Sequence, residues 1–288
     1  MPEVNVAVEE WLADHASRGC DAGAMIDAMV QVGFERAVAD KAVHDALLVA
    51  TGRYTEDNFP HGVEAANGEY RYDAAPVAEG NVIRAYDRDI EVLKRHARPQ
   101  VIVFGNVLSA DECVELISRA RPKLKRSTTV NPENGSQDII ANRTSQGMFF
   151  GRGEDPFIEG LERRIASLMS WPVEHGEGFQ ILNYQVGAEY RAHFDYFPPQ
   201  QAGSAVHTAR SGNRVATLVL YLNDVPGGGE TFFPDADISV EARQGCAVYF
   251  RYMNAQRQLD PLTLHGGAPV LEGEKWIMTK WVRERPFV

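Results

Sequence analysis

Cysteine is scarce in this sequence: Cys20, Cys113 and Cys246 are the only three, at wide and irregular spacings. An odd number so dispersed builds neither a disulfide framework nor a zinc knuckle, so a reducing compartment is expected and an apolar core must hold the fold. Positive charge is also in short supply. With 29 Lys and Arg against 40 Asp and Glu the formal net charge is −11, the wrong sign for a surface that neutralises many phosphates, and no nucleic-acid partner is expected. The one basic cluster, Arg119, Arg121, Lys123, Lys125 and Arg126, reads as a solvated helix face running into a loop. No apolar run approaches the ~20 residues of a membrane span. The acidic opening MPEVNVAVEEWLADH lacks the basic start and apolar stretch of a secretory signal. A cytoplasmic protein without a membrane partner is the expectation. What is present is 44% hydrophobic residues in a chain of 288, enough for one large domain and a small one and too many for a disordered chain.

Residues 1–50 carry helical periodicity: Val8, Trp11 and Leu12, then Met25, Ile26, Met29 and Val30, then Val38, Ala42, Val43, Ala46 and Leu47. Three short helices follow, the first ended by Gly19, the second capped by Asp21 and ended by Gly33. The run from Met29 to Phe34 resembles the hydrophobic-Gly-Phe turn of ubiquitin-associated-type modules. A plain helical appendage, or an element that dimerises or binds a partner, suits this length better. Residues 51–77 are polar, rich in Gly, Asn, Asp and Tyr, and read as a linker. Residues 78–288 form the expected catalytic domain. Strand-like runs at Val82 to Tyr86 and Val101 to Phe104 precede Ser109-Ala110-Asp111-Glu112, a capping-box signature for a helix through Cys113, Leu116 and Ile117. A second helix is expected from Pro156 to Met169. Beyond Trp171, short β-branched and aromatic runs (179–184, 215–222, 238–242, 247–252 and 276–282) alternate with Gly, Pro, Asn and Asp. The expected class is mainly β with flanking helices (α+β): a double-stranded β-helix, or jelly roll, with a small N-terminal helical domain.

The chemistry centres on His193-Phe194-Asp195. On a strand, residues two apart share a face, so this imidazole and carboxylate converge. His265 follows in Leu262-Thr263-Leu264-His265-Gly266-Gly267. Two His and one carboxylate leave three adjacent positions of a metal open, as Fe(II) needs when it takes a bidentate oxo acid and then dioxygen. His-x-Asp alone is common by chance, and each histidine has an ordinary reading as a hydrogen-bonded surface or turn residue. Lys275 starts a strand ten residues past His265; pointed into a barrel it would demand an anionic partner, whereas at an exposed edge it would merely discourage sheet pairing.

Taken together, Leu108 to Cys113, Arg143-Thr144-Ser145, His193 to Phe197, Gly227 to Thr231, and His265 with the stretch through Lys280 and Trp281 resemble the prolyl 4-hydroxylase branch of the Fe(II)/2-oxoglutarate dioxygenases. The likeness covers roughly residues 78–288 and rests on motif order. It implies iron on His193, Asp195 and His265, which are therefore the expected catalytic residues. It implies 2-oxoglutarate on Lys275, with Tyr184 and Thr217 beside it, and Tyr190, Arg143 and Trp281 on the substrate side. Tyr184 and Trp281 are also ordinary core aromatics. Dioxygen is the second co-substrate and ascorbate a candidate accessory. The implied activity is hydroxylation of an aliphatic C–H with release of succinate and CO2, on a prolyl residue of a peptide or protein. A free amino acid or small metabolite is the alternative, with Arg210, Arg214 and Arg251 as candidate carboxylate binders. An inactive binding module is disfavoured, because all three ligands and the lysine are present. Residues 196–214, rich in Pro, Gly and Ser, resemble a lid over the substrate, or form a long hairpin connection.

Overall fold

The structure is a computed structural model of the chain, and it describes residues 6–17, 22–36, 38, 39, 42, 43, 46, 70–130, 133, 136–138 and 143–287. The chain divides into two compact units, Met1–His61 and Gly62–Val288. In the first, α1 (Val6–Ser17) and α2 (Ala22–Gln31) bury Leu12, Ala16, Met25 and Met29 with Phe34, Ala39 and Val43. Leu12, Met25, Met29 and Val43 are among the residues at three- and four-residue spacings, whereas Val30 and Val38 of the same pattern are exposed. Gly33 takes φ 101°, the left-handed turn that stops α2. Val38, Ala42, Val43 and Ala46 of the expected third helix are helical. Leu47, Gly19 and Asp21 lie outside the described residues.

The second unit is built on β1 (Val82–Ala85), β2 (Arg88–Ala97), β3 (Gln100–Gly105), β4 (Lys125–Arg126), β5 (Thr129–Val130), β6 (Gln137–Asp138), β7 (Gln146–Phe150), β8 (Phe179–Tyr184) and β9 (Tyr190–His193). It continues with β10 (Arg214–Tyr221), β11 (Gly227–Gly228), β12 (Thr231–Phe233), β13 (Ile238–Val240), β14 (Ala247–Arg251), β15 (His265–Gly267), β16 (Val270–Glu272) and β17 (Lys275–Arg283). A nine-stranded sheet runs β1-β2-β3-β14-β10-β17-β8-β7-β4, and a four-stranded sheet runs β13-β12-β15-β9. The ladders among these strands are antiparallel. The jelly roll expected from the strand pattern is present.

Strand alternation assigns each side chain to one of two cores. On β10, Ala216, Leu218 and Leu220 join the core that contains the helix residues, while Val219 and Tyr221 join the second core. On β17, Trp276, Met278 and Val282 belong to the first and Ile277 to the second. That first core is closed by α3 (Ala110–Ala120) and α4 (Pro156–Met169), through Cys113, Leu116, Ile158, Leu161, Ile165 and Leu168. The capping box of α3 is formed as its sequence indicates: Glu112 N–H donates to the Ser109 hydroxyl and Ser109 N–H to the Glu112 carboxylate. Asp155 caps α4 by accepting from Phe157 N and Ile158 N. Arg164 joins the two helices, its guanidinium shared between Asp87 and Glu112.

The expected linker needs correcting. Residues 51–69 lie outside the described residues, but residues 70–77 are no free tether. Tyr70 and Val77 are buried, and Asp73 pairs with Arg251 at 2.5 Å. This segment is fastened by polar contacts, which leave no periodic apolar signal in the sequence. The loop 196–214 also holds a short helix, α5 (Ser204–Thr208).

One strut reaches from α4 to the sheet: Lys280 donates to Glu162 at 2.9 Å, with both side chains 3% exposed, and also to the Glu177 carbonyl. Removing one partner strands a buried charge. Lys280→Ala is expected to lower the unfolding free energy by about 3–5 kcal/mol, and Glu162→Leu with Lys280→Met by much less, as read from urea denaturation.

Candidate active site

The register of the small sheet pairs His193 directly with His265. Each ring is aimed by its own backbone: His193 Nδ1 lies 2.8 Å from the Arg191 carbonyl and His265 Nδ1 lies 3.0 Å from the Thr263 carbonyl. A carbonyl only accepts, so each ring carries its proton on Nδ1 and offers the Nε2 lone pair. β9 stops at His193, and Asp195 occupies the bend just beyond the strand. Its Oδ1 stands 3.5 Å from His193 Nε2 and its Oδ2 3.6 Å from His265 Nε2. The three ligand atoms lie within 4.8 Å of one another, and no other such group of His, Cys, Asp or Glu is found among the described residues.

Protonation suits a cation. Burial keeps the His265 imidazole neutral, pulling its pKa down to about 4 against the pull of Asp195. Burial would push the Asp195 carboxyl up, but the facing imidazoles and the Arg214 guanidinium hold it far below the usual carboxylate range. A neutral imidazole and an ionised carboxylate are the forms that bind metal. Thr217 donates its hydroxyl to Asp195 Oδ2 at 2.6 Å and lies 3.3 Å from the Tyr252 hydroxyl. It orients the carboxylate and leaves Oδ1 free for a cation.

Lys275 is 2% exposed, and among the described residues it has no hydrogen bond or ion pair. Burial lowers its pKa to about 8, with Glu230 opposing from a distance. It faces Tyr184 across the β17–β8 ladder, its ammonium 5.5 Å from that ring and 5.9 Å from Tyr221. A Cβ added at Gly267 would stand 3.6 Å from Nζ, so the lysine reaches β15, the strand of His265. Gly229, at φ 74°, leaves room for the stem, since a Cβ there would lie 3.3 Å from Lys275 Cδ. A buried ammonium without a counter-ion is costly, so the site is built for an anion. Burial also raises the Tyr184 hydroxyl above its ordinary pKa, with Arg143 and Ser145 among its neighbours.

A family model described as the 2OG-Fe(II) oxygenase superfamily matches residues 179–283. Probable prolyl 4-hydroxylase 3 of Arabidopsis thaliana is 40% identical over 203 residues, covering 64% of this chain and 69% of the relative. Prolyl 4-hydroxylase 1 of the same plant is 39% identical over 224 residues, covering 70% of this chain and 77% of the relative. The chain belongs to the prolyl 4-hydroxylase-like 2OG-Fe(II) oxygenases. The fold agrees: the 2OG complex of a viral collagen prolyl hydroxylase from Paramecium Bursaria Chlorella virus-1 matches with TM-score 0.50 and 28% identity, covering 64% of this chain and 95% of that one. Its cofactors are accordingly Fe(II), 2-oxoglutarate and O2, and the donor set of His193, Asp195 and His265 with a buried cation nearby fits both groups.

In this 2OG-Fe(II) oxygenase the expected substrate-side residues gather around the histidine edge. Tyr190 stacks on His193 at 3.7 Å between centroids, and burial pushes its hydroxyl up to about 12. The Arg143 guanidinium lies 4.7 Å over the Tyr190 ring and donates to Gln180 Oε1 and to the Thr128 carbonyl. Trp281 is covered by Arg214, 3.9 Å from its ring. Sequence reasoning missed Glu177. This buried carboxylate grips Arg214 at 2.8 and 3.0 Å and Arg283 at 2.6 Å, and Arg214 in turn donates to the Asp195 carbonyl at 3.2 Å. Its only signal was a lone acid between two glycines. Of the candidate carboxylate binders, Arg214 is thus neutralised by Glu177, Arg251 is paired with Asp73, and Arg210 is exposed.

Thr217→Val removes the hydrogen bond that orients Asp195 without changing shape much. Metal affinity is expected to fall about 10- to 100-fold, measured by competitive titration of the full-length protein with Fe(II).

Proposed function

We propose that this oxygenase hydroxylates a prolyl residue in a peptide or protein, with His193, Asp195 and His265 holding the iron and Lys275 anchoring 2-oxoglutarate. The observation that carries the site assignment is the convergence of two Nε2 lone pairs and Asp195 Oδ1, with a buried ammonium that has no partner among the described residues. Bound Fe(II), with 2-oxoglutarate and O2, supplies the oxidising power to insert one oxygen atom into an aliphatic C–H, the other going into succinate as CO2 leaves. The protein's own tasks are to bind, orient and exclude water. The Arg191 and Thr263 carbonyls lock the imidazoles, Thr217 holds the Asp195 carboxylate, and Arg214 holds the Asp195 backbone carbonyl. Lys275 pairs with the far carboxylate of the dicarboxylate, with Tyr184 next to it. Tyr190, Arg143 and Trp281 flank the substrate.

The prolyl substrate is supported by the names of the relatives, prolyl 4-hydroxylases from Arabidopsis thaliana. It is supported also by the state of the arginines: a free amino acid would call for a cation for its carboxylate, and Arg214 and Arg251 are already committed to Glu177 and Asp73. Iron-loaded protein incubated with 2-oxoglutarate, O2 and proline-rich peptides is expected to yield peptides heavier by one oxygen atom and equimolar succinate, and His193→Ala to yield neither. A broad peptide panel that gains no oxygen, while free amino acids do, would overturn the substrate.

Lys275 sets a pH dependence. Its pKa in the ligand-free protein, about 8, lies below the ordinary 10.5, and a bound dicarboxylate favours the ammonium. Binding therefore takes up a proton above that pH. The Kd for 2-oxoglutarate is expected to be flat below pH 8 and to rise by up to about tenfold per pH unit above it, by calorimetry on the metal-loaded protein. In Lys275→Met it should be weak and free of this slope.

A further inference from the structure

The aim of His265 is set by the turn before it, and that turn hangs on one buried acid. Asp260, 1% exposed, caps the short 3-10 turn Pro261–Thr263 by accepting from Leu262 N at 3.0 Å. Its backbone carbonyl accepts from the Thr263 hydroxyl at 2.6 Å, and the Thr263 carbonyl is the atom that locks His265 Nδ1. The second carboxyl oxygen, Oδ2, is buried with no hydrogen-bond partner among the described residues. The hydroxyls of Tyr70 and Tyr196 are likewise buried and unpartnered, and both are raised by burial and then by the charge of Asp260. Tyr72 interacts with the same carboxyl. Asp260 thus anchors the turn that carries His265.

Residues 70–73 also grip the chain leading into Asp260. Asn254 donates to the Arg71 carbonyl at 2.9 Å, Arg71 N donates to Gln258 Oε1 at 3.1 Å, and Ala255 N donates to Asp73 Oδ2 at 2.8 Å. Asp73 pairs with Arg251, whose neighbour Tyr252 reaches Thr217, the hydroxyl that orients Asp195. Asp260 N then donates to the Tyr252 carbonyl at 2.8 Å. Two routes of hydrogen bonds and adjoining backbone therefore run from a segment remote in sequence to two of the three candidate ligands.

We propose that Asp260 is a positioning residue for the iron site, and that residues 70–73 brace it from outside the barrel sequence so that His265 and Asp195 are held at coordinating geometry before metal arrives. The inference rests on the assignment of His265 and Asp195 as ligands. Ligands so pre-aligned give up little freedom on binding, and the partners behind them are worth 10- to 100-fold in metal affinity as a rule.

The test uses Co(II), whose ligand-field absorption reports coordination, titrated into the full-length chain without turnover. Asp260→Ala is expected to weaken Co(II) binding by about 10- to 100-fold and to alter the spectrum. Asp260→Asn, which keeps an acceptor for Leu262 N, should recover most of the affinity. Asp73→Asn, which touches no ligand, should weaken binding several-fold, with circular dichroism confirming a folded chain. Wild-type affinity and spectrum in both Asp260→Ala and Asp73→Asn, while His265→Ala is defective, would overturn the positioning role and leave the iron assignment standing. Wild-type binding in His265→Ala would overturn both. If Asp260→Ala does not fold, Asp73→Asn decides: weakened binding supports the brace and unchanged binding overturns it.

Discussion

Every functional feature of this chain depends on where two imidazole lone pairs point. A histidine on a strand can swing its ring and exchange its tautomer; here neither freedom remains. The backbone carbonyl two residues before each ring accepts from Nδ1, so both Nε2 atoms are left facing Asp195. The strand register that sets His193 opposite His265 is itself dictated by the barrel, since a slip of either strand by one residue would turn its ring onto the other face, away from its partner. The convergence of the three side chains is thus a consequence of sheet pairing, reinforced by Thr217 on the Asp195 carboxylate and by Arg214 on the Asp195 backbone carbonyl.

The second constraint is the burial of charge. Inside this barrel Glu177 is shared by Arg214 and Arg283, and Glu162 pairs with Lys280. Lys275 is the contrast: equally buried, it faces aromatic rings rather than an acid. A buried lysine left with neither an acid nor a hydrogen bond among the described residues favours a ligand of opposite charge. The same bookkeeping of charges bears on the substrate readings, because Arg214 and Arg251 already have acid partners while Arg210 is exposed.

Much of this was legible in the residues. The capping box at Ser109 and Glu112, the apolar spacing of α4 and the β-branched runs at β8, β10 and β14 are local signals, and they specify their elements without help from the rest of the chain. His193, Asp195, His265 and Lys275 were readable because motif order substitutes for geometry when several weak signals coincide. The departures share one physical character: they are contacts between side chains far apart in sequence. Asp73 with Arg251, Glu177 with Arg214 and Thr217 with Asp195 join residues 178, 37 and 22 positions apart. Nothing periodic marks such pairs. Residues 70–77 accordingly read as a linker until the fold set their partners beside them.

The most direct measurement is an anaerobic titration of the Fe(II)-loaded protein with 2-oxoglutarate, following the visible charge-transfer band that a chelating 2-oxo acid produces on ferrous iron. Coordination by His193, Asp195 and His265 predicts a saturable band in the wild type and none in His265→Ala or Asp195→Ala. In Lys275→Met the same band should appear only at much higher 2-oxoglutarate. An undiminished band after His265 is removed would place the iron elsewhere and contradict the site on which the rest is built.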